Sequence, residues 1–281
     1  MTIGNTLVQL QREGLDRLDA QMLLLLALQR EPHDRAWLMA HGKEALTEVA
    51  RDALNDLVQR RQRGEPMAYL CGEREFFGLR LRVDPRVLVP RPDTETLVDW
   101  ALELIPAQAP SGPACRVADL GTGSGAIALA LQSQRPGATV WAVDASADAL
   151  AVASANATRL QLGVRFAHGS WLEPLAGQAS FNLIVSNPPY IRDDDPHLLA
   201  LEHEPLSALA SGADGLSDIR AIVAQAPALL ASGGWLLLEH GWDQADAVAT
   251  LLRSAGFESV QHRHDLGGIA RCTGGQWTAQ A

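Results

Sequence analysis

The stretch "VADLGTGSGAIALA", residues 117–130, decides the fold. It opens as a short apolar strand and turns through glycines at 121, 123 and 125. It then continues as a run of helix formers. Glycine lets the backbone turn tightly and lets a ligand come where a Cβ would clash. A strand, a glycine turn and a helix in this order mark the place where open α/β sheets bind ligands. Outward from it, "TVWAVD", "VRFAHG", "FNLIVS" and "GWLLLEHG" read as further strands. "AIALALQSQ", "ADALAVASANATRL" and residues 217–231 read as the helices between them. Near-continuous apolar strands alternating with helices predict an α/β domain whose parallel sheet is covered on both faces.

Gly121, Gly123 and Ala126 also satisfy the dinucleotide pattern G-x-G-x-x-G/A, so the loop by itself leaves two cofactor classes open. Asp144 ends the next strand, where a carboxylate accepts ribose hydroxyls of either NAD or S-adenosylmethionine. Asp119 tilts the choice to S-adenosylmethionine. An acid beside the loop suits the amino group and sulfonium of that cofactor, and it repels a pyrophosphate. No downstream Lys, Tyr or His stands in a hydride-transfer setting. Trp171, in "HGSWLEPL" after the third strand, is placed to stack on an adenine or to close the sheet edge.

The chain has 281 residues, 47% of them hydrophobic and 20% charged, which suits one large or two modest globular domains. A formal net charge of -10 disfavours a broad nucleic-acid surface, which needs clustered Lys and Arg. Cys71, Cys115 and Cys272 are widely spaced and form no C-x-x-C pair, as expected for a reduced protein without a structural zinc. The N-terminal "MTIGNTLVQLQREG" has no basic region leading into an apolar core, so no signal peptide is expected. "MLLLLAL" is too short to span a membrane and reads as the buried face of a helix. A cytoplasmic protein is expected.

Before the glycine loop the pattern is helical. Leu15, Leu18, Met22, Leu25 and Leu26 recur at helical spacing, as do Leu46, Val49, Ala50, Leu54, Leu57 and Val58. "RRQRG" ends the second series with cations and a glycine, ordinary chemistry for a helix stop. "EFFGLRLRVD" alternates as a half-exposed strand does. Asp93 is then expected to cap a helix reaching about Ile105. "PAQAPSGPAC" is the boundary candidate.

"SNPPY", residues 186–190, ends a strand more rigidly than a turn requires. A residue before proline is pushed to extended geometry, and proline offers a carbonyl without an N–H. The Asn187 side-chain oxygen and the Pro188 carbonyl therefore form a rigid pair of acceptors, and Tyr190 adds a flat wall. Two acceptors on the hydrogens of a planar NH2 orient its nitrogen and draw electron density onto it as methyl transfer begins. This quartet is compatible with adenine, cytosine or glutamine as the methyl acceptor.

A proline-proline-aromatic motif behind a glycine-loop α/β core resembles the amino-methyltransferases. Residues 60–98, "RRQRGEPMAYLCGEREFFGLRLRVDPRVLVPRPDTETLV", together with "EPLSALASGADGLSDIRAI" and "LLLEHG", resemble the HemK/PrmC family. That family methylates the glutamine of the GGQ motif in peptide chain release factors at N5. The resemblance implies a seven-stranded, Rossmann-like class I methyltransferase domain over residues 114–281. It implies a helical domain at 1–66 that docks the release factor, and a β-hairpin and helix at 67–113 joining the two. S-adenosyl-L-methionine is then held by Gly121, Thr122, Gly123, Ser124, Gly125, Asp144 and Trp171. Asn187 stands between cofactor and glutamine, while Pro188, Pro189 and Tyr190 complete the amide pocket, bordered by Arg91 and Glu95. The implied partners are class 1 release factors, with no nucleic acid, no membrane and no metal, and the chain is expected to be a monomer. Cys272 departs from the β-branched residue expected in the family's last strand.

Four further features are assigned structural roles. His262 and His264 share one face of a strand without a third metal ligand. Glu239 and His240 shape the active end of a strand, although they stand where proton removal could be assisted. Residues 193–197, "DDDPH", read as a solvated loop, and "TGGQW" reads as a strand end.

Overall fold

A computed structural model describes residues 1–107 and 114–278. Residues 108–113, most of the proline-rich boundary candidate, lie outside the described residues. The chain falls into two units, Met1–Glu73 and Arg74–Ala281.

The first unit is helical: α1 (Ile3–Arg12), α2 (Arg17–Ala27), α3 (Arg35–His41), α4 (Glu48–Gln62) and α5 (Met67–Cys71). Short polar residues start these helices by accepting orphan backbone amides. Thr2 takes the amide of Asn5, Asp16 that of Leu18 and Thr47 that of Ala50. The leucine run lies in α2. Met22, Leu23, Leu24, Leu25 and Ala27 are all buried, more than the single face expected. α2 is a hub, packed against α1, α3, α4 and α5. The cations ending α4 are used internally: Arg60 forms a two-pronged bond to Glu65 at 2.7 and 2.8 Å, and Arg61 reaches Asp19 at 2.7 Å.

The second unit begins with a hairpin of β1 (Glu73–Phe76) and β2 (Leu79–Arg82), then a 3-10 turn at Pro92–Thr94 and α6 (Glu95–Leu104). Of the segment 67–107, residues 67–73 fall in the first unit and the rest in the second. α5 belongs to the helical unit, whereas the hairpin and α6 join the sheet. Burial explains this, because Phe76, Leu81, Leu97 and Trp100 are almost wholly enclosed in the core on one sheet face. Asp93 does not cap α6; its carboxylate pairs with Arg271 at 3.3 Å.

The sheet follows as β3 (Arg116–Leu120), α7 (Ala126–Gln134), β4 (Thr139–Asp144), α8 (Ala147–Leu160), β5 (Arg165–His168), β6 (Phe181–Ser186), α9 (Ser217–Gln225), β7 (Leu230–Glu239), α10 (Ala245–Ser254), β8 (Glu258–His264) and β9 (Ala270–Gln276). The seven strands run in the order β5-β4-β3-β6-β7-β9-β8. Alternate side chains feed opposite faces. Val117, Val185 and Leu237 enter the core with α6 and α7, and Ala118, Ile184 and Leu236 enter the one with α9 and α10. The parallel expectation holds from β5 through β7. β9 runs antiparallel to both neighbours. The cause is its short connection from β8, tied by the Ile269 amide to Asp265 at 2.9 Å, since only antiparallel strands join through a tight turn. Cys272 is fully buried in the core. Gln276 ends β9 and donates to the Gly233 carbonyl at 2.9 Å, so "TGGQ" is a strand end. No helix among the described residues is long and apolar enough to cross a membrane.

Candidate functional site

The chain leaves β3 for β4 and β5 on one side, and later returns to β6 and β7 on the other. A crevice opens at such a switch point, beyond the carboxyl ends of the strands. Here it is a cavity of about 380 Å³. Gly121 and Gly123 form its floor, Asp144 and Ser146 one side, Trp171 another, and Asn187 and Pro189 its far end.

The floor is built locally. Gly121 and Thr122 both donate to the Val143 carbonyl, at 2.9 and 3.0 Å, which pins the loop to β4. Gly125 starts α7 at φ +87°, a left-handed conformation, and an added Cβ would meet Leu129 at 2.9 Å. Only glycine satisfies both conditions. Asp144 accepts the Gly123 amide at 2.9 Å and the Ser146 amide at 2.8 Å. Its carboxylate is thereby fixed at the cavity wall, with acceptor capacity left for a diol.

Asp119 is not in the cavity, contrary to the direct electrostatic role expected of it. It lies fully buried beneath the loop, accepting from the Thr122 hydroxyl at 2.6 Å and from the Ala128 amide at 3.1 Å. It braces the turn against the start of α7. Burial pushes its carboxyl up to about 7, and its Oδ1 meets no donor. Thr122, Ser124 and Gly125 are likewise buried and form the turn without lining the cavity.

Trp171 lies beside the glycine loop and also packs against one of the two sheet cores. Its ring lies over the glycine loop, where a Cβ on Gly121 would meet it at 3.4 Å, and it lines the cavity. The residue adopts φ +46°. A left-handed non-glycine costs about 1–2 kcal/mol, and such strain concentrates at functional sites.

The far end is assembled from distant segments. Ser186 closes β6 onto β3 by donating to the Leu120 carbonyl at 2.7 Å. Beyond it, Tyr190 donates its amide to the Leu209 carbonyl at 3.2 Å and offers its own carbonyl to Gln244 at 3.1 Å. Gly215 passes so near that a Cβ there would lie 2.2 Å from the Tyr190 oxygen. Asn187 donates its side-chain amide to the Thr94 hydroxyl at 3.2 Å. A second, smaller cavity of about 90 Å³ adjoins the first and shares Leu88, Asn187 and Ala208 with it. Tyr190 and Arg91 line this smaller space.

The residues singled out in sequence thus separate into two groups. Gly121, Gly123, Asp144, Trp171, Asn187, Pro189, Tyr190 and Arg91 converge on the two cavities. Pro188 is buried behind them, and the Glu95 carboxylate accepts the Phe77 amide of the hairpin at 3.0 Å without reaching either cavity. Arg91 is held by an ion pair with Glu204, which also accepts the Val89 amide at 3.0 Å. Three residues were missed. Thr94 sits inside "PRPDTE" and Glu204 opens "EPLSAL", so both motifs carried a signal. Asn156 bonds to Arg82 of the hairpin, at 2.8 and 3.0 Å, and to the Ser124 carbonyl at 3.0 Å; nothing in its helix pattern announced this.

Glu239 and Thr94 are both buried beside the clamp. Burial pushes the Glu239 carboxyl up to about 7, the nearby Arg271 guanidinium pulls it back, and its Oε2 meets no donor. His240 is fully buried and engages the Thr273 hydroxyl at 2.7 Å, which His262 also meets at 2.9 Å. Among the described residues no group of His, Cys, Asp or Glu side chains is arranged to hold a metal ion.

This architecture is shared with known proteins. Residues 6–72 match the PrmC N-terminal domain family, and residues 95–204 match the methyltransferase small domain. A structure of a methyltransferase from Pyrococcus furiosus superposes with a TM-score of 0.56 at 17% identity, covering 79% of this chain and 99% of that one, a likeness of fold. The release factor glutamine methyltransferase of Xylella fastidiosa (strain Temecula1) is 50% identical over 267 residues, 94% of each chain. That of Salmonella typhimurium is 45% identical over 273 residues, 96% of this chain and 95% of its own. With identity of this order along nearly its whole length, the chain belongs to the release factor glutamine methyltransferase family.

Proposed function

We propose that the protein methylates the side-chain amide nitrogen (N5) of the glutamine in the GGQ motif of class 1 peptide chain release factors. S-adenosyl-L-methionine supplies the methyl group, already activated on a sulfonium. Family membership supports the reaction. The observation that carries the site assignment is the position of Asn187, which lines both the larger and the smaller cavity where they adjoin.

The larger cavity suits the cofactor by its donor set. Asp144 offers fixed carboxylate oxygens to ribose hydroxyls, Trp171 a flat face for a purine, and Gly121 and Gly123 a floor without side chains. The glutamine amide enters the smaller cavity. There the Asn187 oxygen accepts one of its hydrogens and the Tyr190 ring confines its plane, while the Pro188 carbonyl, behind the cavity wall, is the second acceptor that the motif implies. Fixing the NH2 group in this way turns its lone pair to the methyl donor and excludes water from the approach. Such positioning, with acceptors aimed at developing charge, lowers the barrier without a covalent intermediate.

The proposal includes a cytoplasmic monomer acting on release factors without direct contact to nucleic acid, and the net charge of -10 supports the last of these. The test incubates the protein with methyl-labelled S-adenosylmethionine and a purified release factor. Label must enter the factor and vanish when its GGQ glutamine is replaced. Label persisting on the altered factor, or entering DNA or RNA instead, contradicts the proposal.

A further inference from the structure

Asn156 lies on α8, 0% exposed, and lines neither cavity. An asparagine shut away from water must find partners for its carbonyl and for two N–H groups, or lose the free energy of hydrating them. Its oxygen accepts the Arg82 amide at 2.8 Å. Its NH2 group donates to the Arg82 carbonyl and to the Ser124 carbonyl, both at 3.0 Å. These partners choose the orientation, because a flipped amide would set N–H against N–H and oxygen against two carbonyls.

Both partners lead to walls of the larger cavity by short paths. Ser124 stands between Gly123, on the cavity floor, and Gly125, which starts α7. Arg82 ends β2, four residues before Arg86, which lines the cavity with Val87 and Leu88. The chain between them is stiff. Asp84 accepts the Arg86 amide at 3.1 Å and its guanidinium at 2.8 and 2.6 Å, and its carbonyl accepts the Val87 amide at 3.1 Å. Moving Arg82 therefore moves residues 86–88. α8 itself supplies a third wall, since Ser146 at its cap and Ala149 line the cavity. Asn156 follows Ala149 by two turns, on the same face of the helix.

We propose that Asn156 is a positioning residue for S-adenosyl-L-methionine. By bonding to Arg82 and Ser124 at once, it holds the glycine floor and the wall at 86–88 at the separation the cofactor requires. This role rests on the cofactor reading of the larger cavity and adds to it the part that sets the cavity's width. A second tie between α8 and the hairpin runs from the Arg159 guanidinium to the Arg80 carbonyl. It supports the hairpin without reaching the glycine loop, so it cannot join the two walls.

The experiment titrates S-adenosyl-L-methionine into the full chain by calorimetry, comparing wild type with Asn156→Asp, Asn156→Ala, Arg159→Met and Asp144→Asn. Asn156→Asp keeps the shape but turns an oxygen to two carbonyls, and it is expected to raise Kd about tenfold or more, as is Asn156→Ala. At saturating cofactor their kcat stays within about threefold, because the clamp after β6 keeps its own supports. Arg159→Met leaves Kd within about twofold. The wild type gives an answer even where the Asn156 variants fail to fold. Hydrogen exchange of its Arg82 amide, which Asn156 holds outside the cavity lining, should slow about tenfold when cofactor binds. Wild-type Kd in folded Asn156 variants, or Arg82 exchange that ignores the cofactor, overturns the positioning role while Asp144→Asn still weakens binding. A Kd raised as far by Arg159→Met also overturns it, since support of the hairpin alone would then account for the effect. If Asp144→Asn binds like wild type as well, the cavity is not the cofactor site and both readings fall.

Discussion

The glycine loop and the SNPPY clamp sit at neighbouring strand ends, yet they are built in opposite ways. The loop is braced from its own and the next strand and helix: Asp119 holds Thr122 and Ala128, three and nine residues away, Asp144 takes the Gly123 amide from 21 residues on, and Asn156 the Ser124 carbonyl from 32. The clamp is braced from afar. Thr94 lies 93 residues before Asn187, and Gln244 lies 54 residues after Tyr190. A binding floor can be specified within two successive strand-helix units, because the turn is held by its own strand and by the neighbouring β4 and α8. A reactive clamp must be rigid against substrate on one side, so its supports come from whichever segments the sheet brings behind it.

Four substitutions break or sharpen this contrast. Asn187→Ala removes an acceptor that matters most as charge develops. It should lower kcat by about 10²–10³-fold while leaving cofactor affinity within a few-fold, measured by labelled methyl transfer and calorimetry. Gly125→Ala places a Cβ against Leu129 at φ +87°. It should cost about 2 kcal/mol or more in urea unfolding and weaken cofactor binding, since the floor itself moves. Asp144→Asn removes a charge from the diol acceptor without removing its shape. Cofactor Kd should rise about tenfold with little change in kcat at saturation, the reverse of the Asn187 result. Equal effects of Asn187→Ala and Asp144→Asn on cofactor affinity would erase the distinction between floor and clamp.

The smallest effect concerns pH. Burial raises the Asp119 carboxyl from its ordinary value near 3.8 to about 7, so between these values the folded protein holds a proton that the unfolded chain has released. Stability from this group is therefore full below about 3.8 and lost as pH rises through about 7. The stability of Asp119→Asn relative to wild type should improve from pH 4.5 to pH 7 in urea titrations. A constant difference would show that Asp119 titrates alike in the folded and unfolded states.

Much of this was written locally. Leu23, Leu24 and Leu25 announced a helix, although not that α2 would be enclosed by four others, because a periodic pattern reports apolar positions and not the number of neighbours. The Asp119 acid was visible but its direction was not. Residues 117–130 place it beside a ligand loop, and only the packing of α7 on β3 turns it inward to the Ala128 amide. In "PRPDTE" the charged Glu95 stood out as a site residue, and Thr94 carried no such signal. The fold gives the charge to the hairpin amide of Phe77 and the hydroxyl to Asn187.

By itself the sequence determined the α/β sheet, the glycine turn after β3, the carboxylate ending β4 and the stiff quartet ending β6. Each of these rests on backbone preferences and spacings within one or two elements. Tertiary structure decided the rest: the antiparallel last strand, the inward Asp119, and the Thr94 hydroxyl behind Asn187. These depend on contacts between segments far apart in the chain, and a buried polar group takes its role from whichever partner folding brings within reach.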